Sequence, residues 1–331
     1  MCRRKIGREL GVGSGSLHLK SQIPDSGWPA RPLGRTGFSA TLLGIGDLAD
    51  RRIPLEQCIA TARRALDAGL NLIDTAPGYE DGYSEQIVGQ AVKGRRDGLF
   101  VIDKIDHHEQ PVGPQVDDSL TRLDMDYVDA FVFHGLSTME GWRRATAPGG
   151  AFDQLQACVK AGKARFRGIS SHDPDVLAAA IPSGLCDIVM FPIGPYVHER
   201  YVSEILPLAR RHNVGTVCFK TFGAGKLLAD TSGYNQPLKE RPRGKMSSGG
   251  MPTPDTSELP RLTVAECLHY TLTVNPDVAL LGMSFPNEQD AVFSAWKDFA
   301  PLPPAAMADI RTRAVQAIAG KGRNWWNPGG A

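Results

Sequence analysis

The chain has 331 residues, 42 % of them apolar and 22 % charged, with a formal net charge of +1. This is the balance of a soluble globular protein, and it leaves no global field to gather nucleic acid or an anionic membrane surface. No apolar run approaches the roughly 18 residues that a membrane-crossing helix needs, so the expectation is a cytoplasmic protein without a membrane partner.

Residues 1–31 read as a flexible arm or an over-long start. The pair Arg3-Arg4 resembles a twin-arginine leader, but Glu9 to Ser16 is rich in Gly and Ser and lacks an apolar export core. From there strand-like and helix-like segments alternate. Thr41–Gly46 leads to a helix near Leu55–Ala68, and Asn71–Asp74 to one near Ser84–Lys93. Leu99–Lys104 precedes Pro114–Leu123, Tyr127–His134 precedes Phe152–Ala161, and Arg165–Ser170 precedes Pro174–Ile181. Asp187–Phe191 precedes Val202–His212. Gly215–Phe219 leads through a long loop to Val264–Leu272, and Val278–Gly282 leads to Glu288–Phe299. A last helix is expected near Pro304–Ala319.

Continuous apolar strands such as Val278-Ala-Leu-Leu281 are those of a parallel sheet covered on both faces. Eight strand-then-helix units fit one closed α/β barrel, a (β/α)8 fold over residues 32–331. An open doubly wound sheet is the rival, but Leu43-Gly44-Ile45-Gly46 lacks the third glycine and the acidic partner of its phosphate turn. The segment Ala229 to Pro260, loaded with Gly, Pro and Ser, is expected on the active-site side, where it could act as a lid. The six cysteines (Cys2, Cys58, Cys158, Cys186, Cys218, Cys267) form no CxxC pair and no zinc-ligand spacing, and a reducing compartment is the simplest setting.

Barrel enzymes build their sites at the C-terminal ends of the strands. Asp74, Lys104 and His134 close strands two, three and four, and Ser170-Ser171 closes strand five. Singly each has a bland reading: a helix cap, a solvated lysine, a structural histidine. Tyr79, five residues beyond Asp74, would alone be a surface aromatic. Together they place three ionisable groups and a phenol at one mouth. A metal-dependent hydrolase would need further ligands, and strands five to eight end in Ser170, Phe191, Phe219 and Gly282. No metal is expected.

With these residues in view, the sequence resembles the aldo-keto reductase family from residue 32 to about 300. Pro32-Leu-Gly-Arg-Thr-Gly37 looks like the family's opening hairpin. Asp74-Thr-Ala-Pro-Gly-Tyr79, then Ser84-Glu85 and Gly89, matches its first signature. Asp118-Ser-Leu-Thr-Arg-Leu-Asp-Met-Asp-Tyr-Val-Asp129 with His134-Gly135 matches the second, and Gly162-Lys-Ala-Arg-Phe-Arg-Gly-Ile-Ser170 matches the entry to strand five. The resemblance implies an NAD(P)H-dependent reduction of an aldehyde or ketone, or oxidation of the matching alcohol or aldose. In it Tyr79 is the general acid, Lys104 and Asp74 are its pKa-tuning partners, and His134 orients the carbonyl. A cationic Lys104 beside Tyr79 is expected to favour phenolate and lower the phenol's pKa from about 10. His134 is expected to donate a hydrogen bond to the oxygen on which negative charge grows. Tyr83 is a rival acid at a less favourable spacing.

For the cofactor, the resemblance implies that Ser170 holds the nicotinamide carboxamide, with Ser171 beside it where asparagine is commoner, and that Phe219 stacks on the ring. Lys220 and Gly223 pass the pyrophosphate, and Gly282, Ser284 and Glu288 dock the adenosine end at a helix N-terminus. Three positions depart from the family pattern. Met190 stands where a carboxamide-binding glutamine is usual, and Asp47 where a small hydroxyl residue is usual. Glu288 would repel a 2′-phosphate and could bond a ribose hydroxyl instead. NADP(H) is the family default and NAD(H) the alternative. The altered positions also motivate a second reading, a cofactor-binding regulatory subunit or redox sensor with little turnover. His107-His108 reads as solvated loop histidines, and Trp325-Trp326 either as pocket lining or as packing for the last helix. Arg241-Pro-Arg-Gly-Lys245 is too short to claim nucleic acid.

Overall fold

A computed structural model describes residues 27–51, 53–228, 260–319 and 324–328. Most of the arm, the loop 229–259 with its lid reading, Cys2, and the tail positions 320–323 and 329–331 lie outside the described residues. The chain enters as a hairpin in which β1 (Ala30–Pro32) pairs antiparallel with β2 (Ser39–Thr41). That first strand starts inside the stretch assigned to the arm. Trp28, just before it, donates its indole N–H to the Ala68 carbonyl at 2.6 Å and packs on Phe293 and Trp296.

Eight parallel strands then close a barrel. They are β3 (Leu43–Ile45), β4 (Leu72–Asp74), β5 (Phe100–Ile105), β6 (Val128–Phe133), β7 (Ala164–Ser170), β8 (Ile188–Pro192), β9 (Gly215–Phe219) and β10 (Val278–Leu281). Each pairs with its sequence neighbour, and β10 joins β9 to β3. The helices between them are α1 (Leu55–Asp67), α2 (Tyr83–Val92), α3 (Val112–Leu123), α4 (Met139–Ala145), α5 (Ala151–Lys160), α6 (Pro174–Ala180), α7 (Leu206–Arg211), α8 (Val264–Val274) and α9 (Pro286–Lys297). A final helix, α10 (Pro304–Ile318), follows. No helix among the described residues is long and apolar enough to cross a membrane.

The strand period of two sorts the core into two shells. Leu72, Phe100, Ile102, Ala130, Val132, Ile188, Met190, Val217, Val278 and Leu280 point inward and fill the barrel. Leu33 and Ala40, with Phe38 packed on Phe100 at 5.1 Å, cap the N-terminal end from the hairpin. The alternate residues, such as Val101, Phe131, Val189 and Ala279, pack outward on the helices. Continuing the inward set one step brings Asp74, Lys104 and His134 to the opposite, C-terminal rim. The same alternation that builds the core therefore aims the polar groups.

Two elements differ from the sequence reading. Helix α4 is an addition: Thr138 caps it by accepting from the Gly141 N–H at 3.0 Å, and Trp142 and Ala145 bury its inner face. The helix expected from Val202 begins as a π turn over Tyr201–Ile205. Pro207 has no N–H for the regular ladder at that point.

Glycine is required at position 89 by contact, since a Cβ there would stand 2.0 Å from the Leu123 carbonyl oxygen where α2 crosses the end of α3. Alanine is worth roughly 1 kcal/mol more than glycine in an isolated helix. Gly89→Ala is nonetheless expected to destabilise the fold by about 1–3 kcal/mol, because that backbone contact leaves no room to repack. Chemical denaturation measures this, and a variant as stable as the parent would refute the contact.

Candidate active site

Lys104 is the centre of the rim. Its Nζ donates to both oxygens of Asp74 at 2.7 and 2.8 Å and to the Thr75 carbonyl at 2.7 Å, and both side chains are 2 % exposed. Burial alone would lower the ammonium's pKa, but the Asp74 carboxylate and the Tyr79 phenol overcome it and hold Lys104 above its ordinary value.

Tyr79 sits in the tight turn between β4 and α2. Glu80 and Asp81 follow it with left-handed φ of 52° and 50° before Gly82 starts the helix. Arg51 steadies the turn through the Glu80 carbonyl at 2.8 Å, and Thr75 ties its base to Ser84 at 2.9 Å. The Lys104 ammonium lies 4.3 Å from the Tyr79 ring centroid. The His134 ring meets Tyr79 edge to face at 5.4 Å. Here the structure corrects the expectation of a lowered phenol pKa. Burial outweighs the nearby ammonium, and Tyr79 is pushed above its ordinary value. The phenol is thus a fully protonated donor at neutral pH. Tyr83, the rival acid, points elsewhere and donates to the Ile53 carbonyl at 2.8 Å.

Asp74, Tyr79, Lys104 and His134 line one cavity of about 550 Å³ with Asp47, Ser170, Phe219, Lys220 and Gly282. Ser170 Oγ accepts from the Gly135 N–H at 2.8 Å, tying the ends of β6 and β7 together. Asp47 accepts from the Ala49 N–H at 2.9 Å, and burial raises its carboxyl to about 6. Lys220, in a left-handed conformation at φ 77°, holds its ammonium 4.2 Å from the Trp325 ring centroid. Burial lowers that ammonium to about 8.

The other predicted cofactor residues lie off the cavity. Met190 is fully buried in the barrel interior. Ser171 Oγ accepts from the Asp173 N–H at 3.2 Å, within the turn that starts α6. Gly223 lies in the turn behind the wall, where its φ is 54°. Ser284 donates its backbone N–H to Glu288 at 2.8 Å, so that carboxylate, 1 % exposed, serves the start of α9.

Sequence reasoning missed several wall residues. Asp106 bonds His134, and His172 packs between Phe219 and Trp325. Thr221 carries a buried hydroxyl without a hydrogen-bond partner. His108 is a correction. It is half-buried rather than solvated, and its Nε2 donates to the His134 carbonyl at 2.9 Å. The tryptophan pair divides its two readings. Trp326 is buried and donates to the Tyr196 carbonyl at 2.9 Å, while Trp325 lines the cavity.

The profile of the aldo/keto reductase family matches residues 41–312. The chain belongs to the aldo/keto reductase family. This aldo/keto reductase chain is similar to L-galactose dehydrogenase of Arabidopsis thaliana, 27 % identical over 216 residues that cover 60 % of this chain and 66 % of that protein. The match thus spans just under two thirds of that relative. It is also similar to the NADH-specific methylglyoxal reductase of Escherichia coli strain K12, 28 % identical over 59 % of this chain and 68 % of that one. Among solved structures, the holo form of an aldo-keto reductase from Bacillus halodurans shares the fold with a TM-score of 0.65 at 23 % identity, over 88 % of this chain and 96 % of that one. An aldo-keto reductase from Klebsiella pneumoniae in complex with NADPH does so with a TM-score of 0.65 at 18 % identity, over 89 % and 99 %.

Proposed function

We propose that this protein reduces a small aldehyde or ketone with NAD(P)H, or oxidises the matching alcohol or aldose, with Tyr79 as the general acid. The observation that carries the reading is the joined set at one rim: a phenol beside an ammonium that is itself clasped by a buried carboxylate. Tyr79 holds the proton that the substrate oxygen takes up. Lys104 stabilises the phenolate left behind, and Asp74 keeps Lys104 charged and aimed. His134 flanks the phenol and orients the substrate.

The cleft fits an anionic dinucleotide. Thr221 offers a buried, unpartnered hydroxyl next to the Lys220 ammonium on the same wall. The following turn runs through left-handed φ at Gly223, Ala224 and Gly225, and Ala224 and Gly225 line the cavity. Lys220, Thr221 and that turn would hold the diphosphate, Ser170 the carboxamide, and Phe219 would face the nicotinamide. When bound, the nicotinamide supplies or accepts the hydride. The Klebsiella likeness carries NADPH and the Escherichia coli relative is NADH-specific, so both cofactors enter the proposal.

Fluorescence titration with NADPH and NADH, followed by turnover on a panel of aldehydes and sugars, tests the reading. Absence of binding, or of turnover in either direction, would defeat it. A regulatory subunit that binds cofactor with little turnover is the second reading, favoured by Met190, whose burial leaves Ser170 without the usual amide neighbour. Tight binding without turnover would decide for it.

A further inference from the structure

Asp106 is the first residue beyond β5, two positions after Lys104, so strand alternation turns it toward the same cleft. Its Oδ1 lies 2.5 Å from Nδ1 of His134. The same carboxylate lies against Gly78, the residue before Tyr79, whose backbone amide helps lower it. A Cβ at Gly78 would stand 2.5 Å from Asp106 Oδ2, so this approach requires glycine. One carboxylate therefore buckles the Tyr79 turn to the His134 ring. Burial would raise the Asp106 carboxyl, but the bond to His134 prevails and holds it below its usual range.

An ionised carboxylate can only accept, so Nδ1 of His134 carries the proton and Nε2 is the nitrogen left to the cleft. In the neutral ring Nε2 is then an acceptor, the opposite of the donor that the sequence reading expects. Lys104 and Asp74 from β5 and β4, Tyr79, and His108, His172, Lys220 and Asp47 from the loops surround this pair. Among the described residues only Asp106 bonds a ring nitrogen of His134.

We infer that Asp106 is a positioning residue that locks His134 in its Nδ1–H form, so that Nε2 accepts a hydrogen bond from a substrate hydroxyl beside the reacting carbon. The inference rests on the reductase reading for its consequence and on the geometry of Asp106 for its cause. It makes His134 a reader of hydroxylated carbonyl compounds, while Tyr79 remains the donor to the reacting oxygen.

Nitrogen NMR of the His134 ring in the wild-type protein at neutral pH is the direct test, with an Nδ1–H tautomer expected. An Nε2–H tautomer or a doubly protonated ring overturns the inference. In kinetics, Asp106→Ala is expected to lower kcat/KM for a 2-hydroxyaldehyde by about 10-fold while the matching unsubstituted aldehyde changes by less than about 3-fold. Asp106→Asn, whose amide oxygen still accepts from Nδ1–H, should keep the preference. Equal losses on both aldehydes, with cofactor affinity retained, would make Asp106 merely structural and overturn the inference. If Asp106→Ala does not fold, the tautomer of the wild-type ring still decides. If no carbonyl is turned over by the wild type, the reductase reading fails separately from the tautomer.

Discussion

Replacing Tyr79 by phenylalanine is expected to lower kcat for carbonyl reduction by ~10²–10⁴-fold, the usual contribution of a positioned acid. The affinity for NAD(P)H should stay within a few-fold of wild type, because the phenol belongs to the substrate end of the cleft. Stability should change little as well. The Lys104 ammonium beside the lost hydroxyl keeps both Asp74 oxygens and the Thr75 carbonyl at 2.7–2.8 Å. Burial holds the phenol above its ordinary pKa of about 10, so it is protonated throughout the neutral range. Reduction should therefore show no alkaline fall due to Tyr79 below that value, whereas oxidation, which needs phenolate, should quicken as pH rises. Stopped or steady-state assays across pH check both statements. A phenylalanine variant that keeps its rate within about 10-fold would move the acid to another group and dismiss the tetrad mechanism.

The barrel was legible in the sequence because its two signals are periodic. Runs such as Val278–Leu281 alternate with helical spacing, and the polar closers Asp74, Lys104 and His134 follow inward-facing apolar residues by two. Local chemistry was less visible. Helix α4 is short and its sequence signal is a single threonine cap, too little to mark a helix. Asp106 carries a usable signal, because it repeats the inward parity of Lys104, but it stands one residue beyond the strand. Met190 and Glu288 were read through the family's pattern, whereas their surroundings are set by barrel packing and by the start of α9. The balance at Tyr79 was beyond any sequence argument. Whether an ammonium or burial governs a phenol depends on how much solvent the finished fold excludes, and that is a property of all the walls together.

Lys104→Met should be the most destabilising of the site changes. It leaves Asp74, 2 % exposed, without its counter-ion, and breaking a buried pair by removing one partner costs about 3–5 kcal/mol. Burial already raises the Asp74 carboxyl even with Lys104 present, and without that ammonium the carboxyl moves further up. The sign follows from proton counting. Where the folded pKa exceeds the unfolded value of about 3.9, the native state binds the extra proton, so stability falls as pH rises between the two. The variant should therefore be measurably more stable near pH 5 than near pH 8 relative to wild type, which denaturation at the two pH values reads directly. The double variant Asp74→Asn, Lys104→Met should recover part of the loss and all of that added pH dependence, because no uncompensated charge remains. Activity should not return with stability, since the phenolate formed at Tyr79 would have no cation beside it. A single variant as stable as the parent at pH 8 would mean that the Asp74–Lys104 pair is not ionised in the fold, and the tuning role given to both residues would go with it.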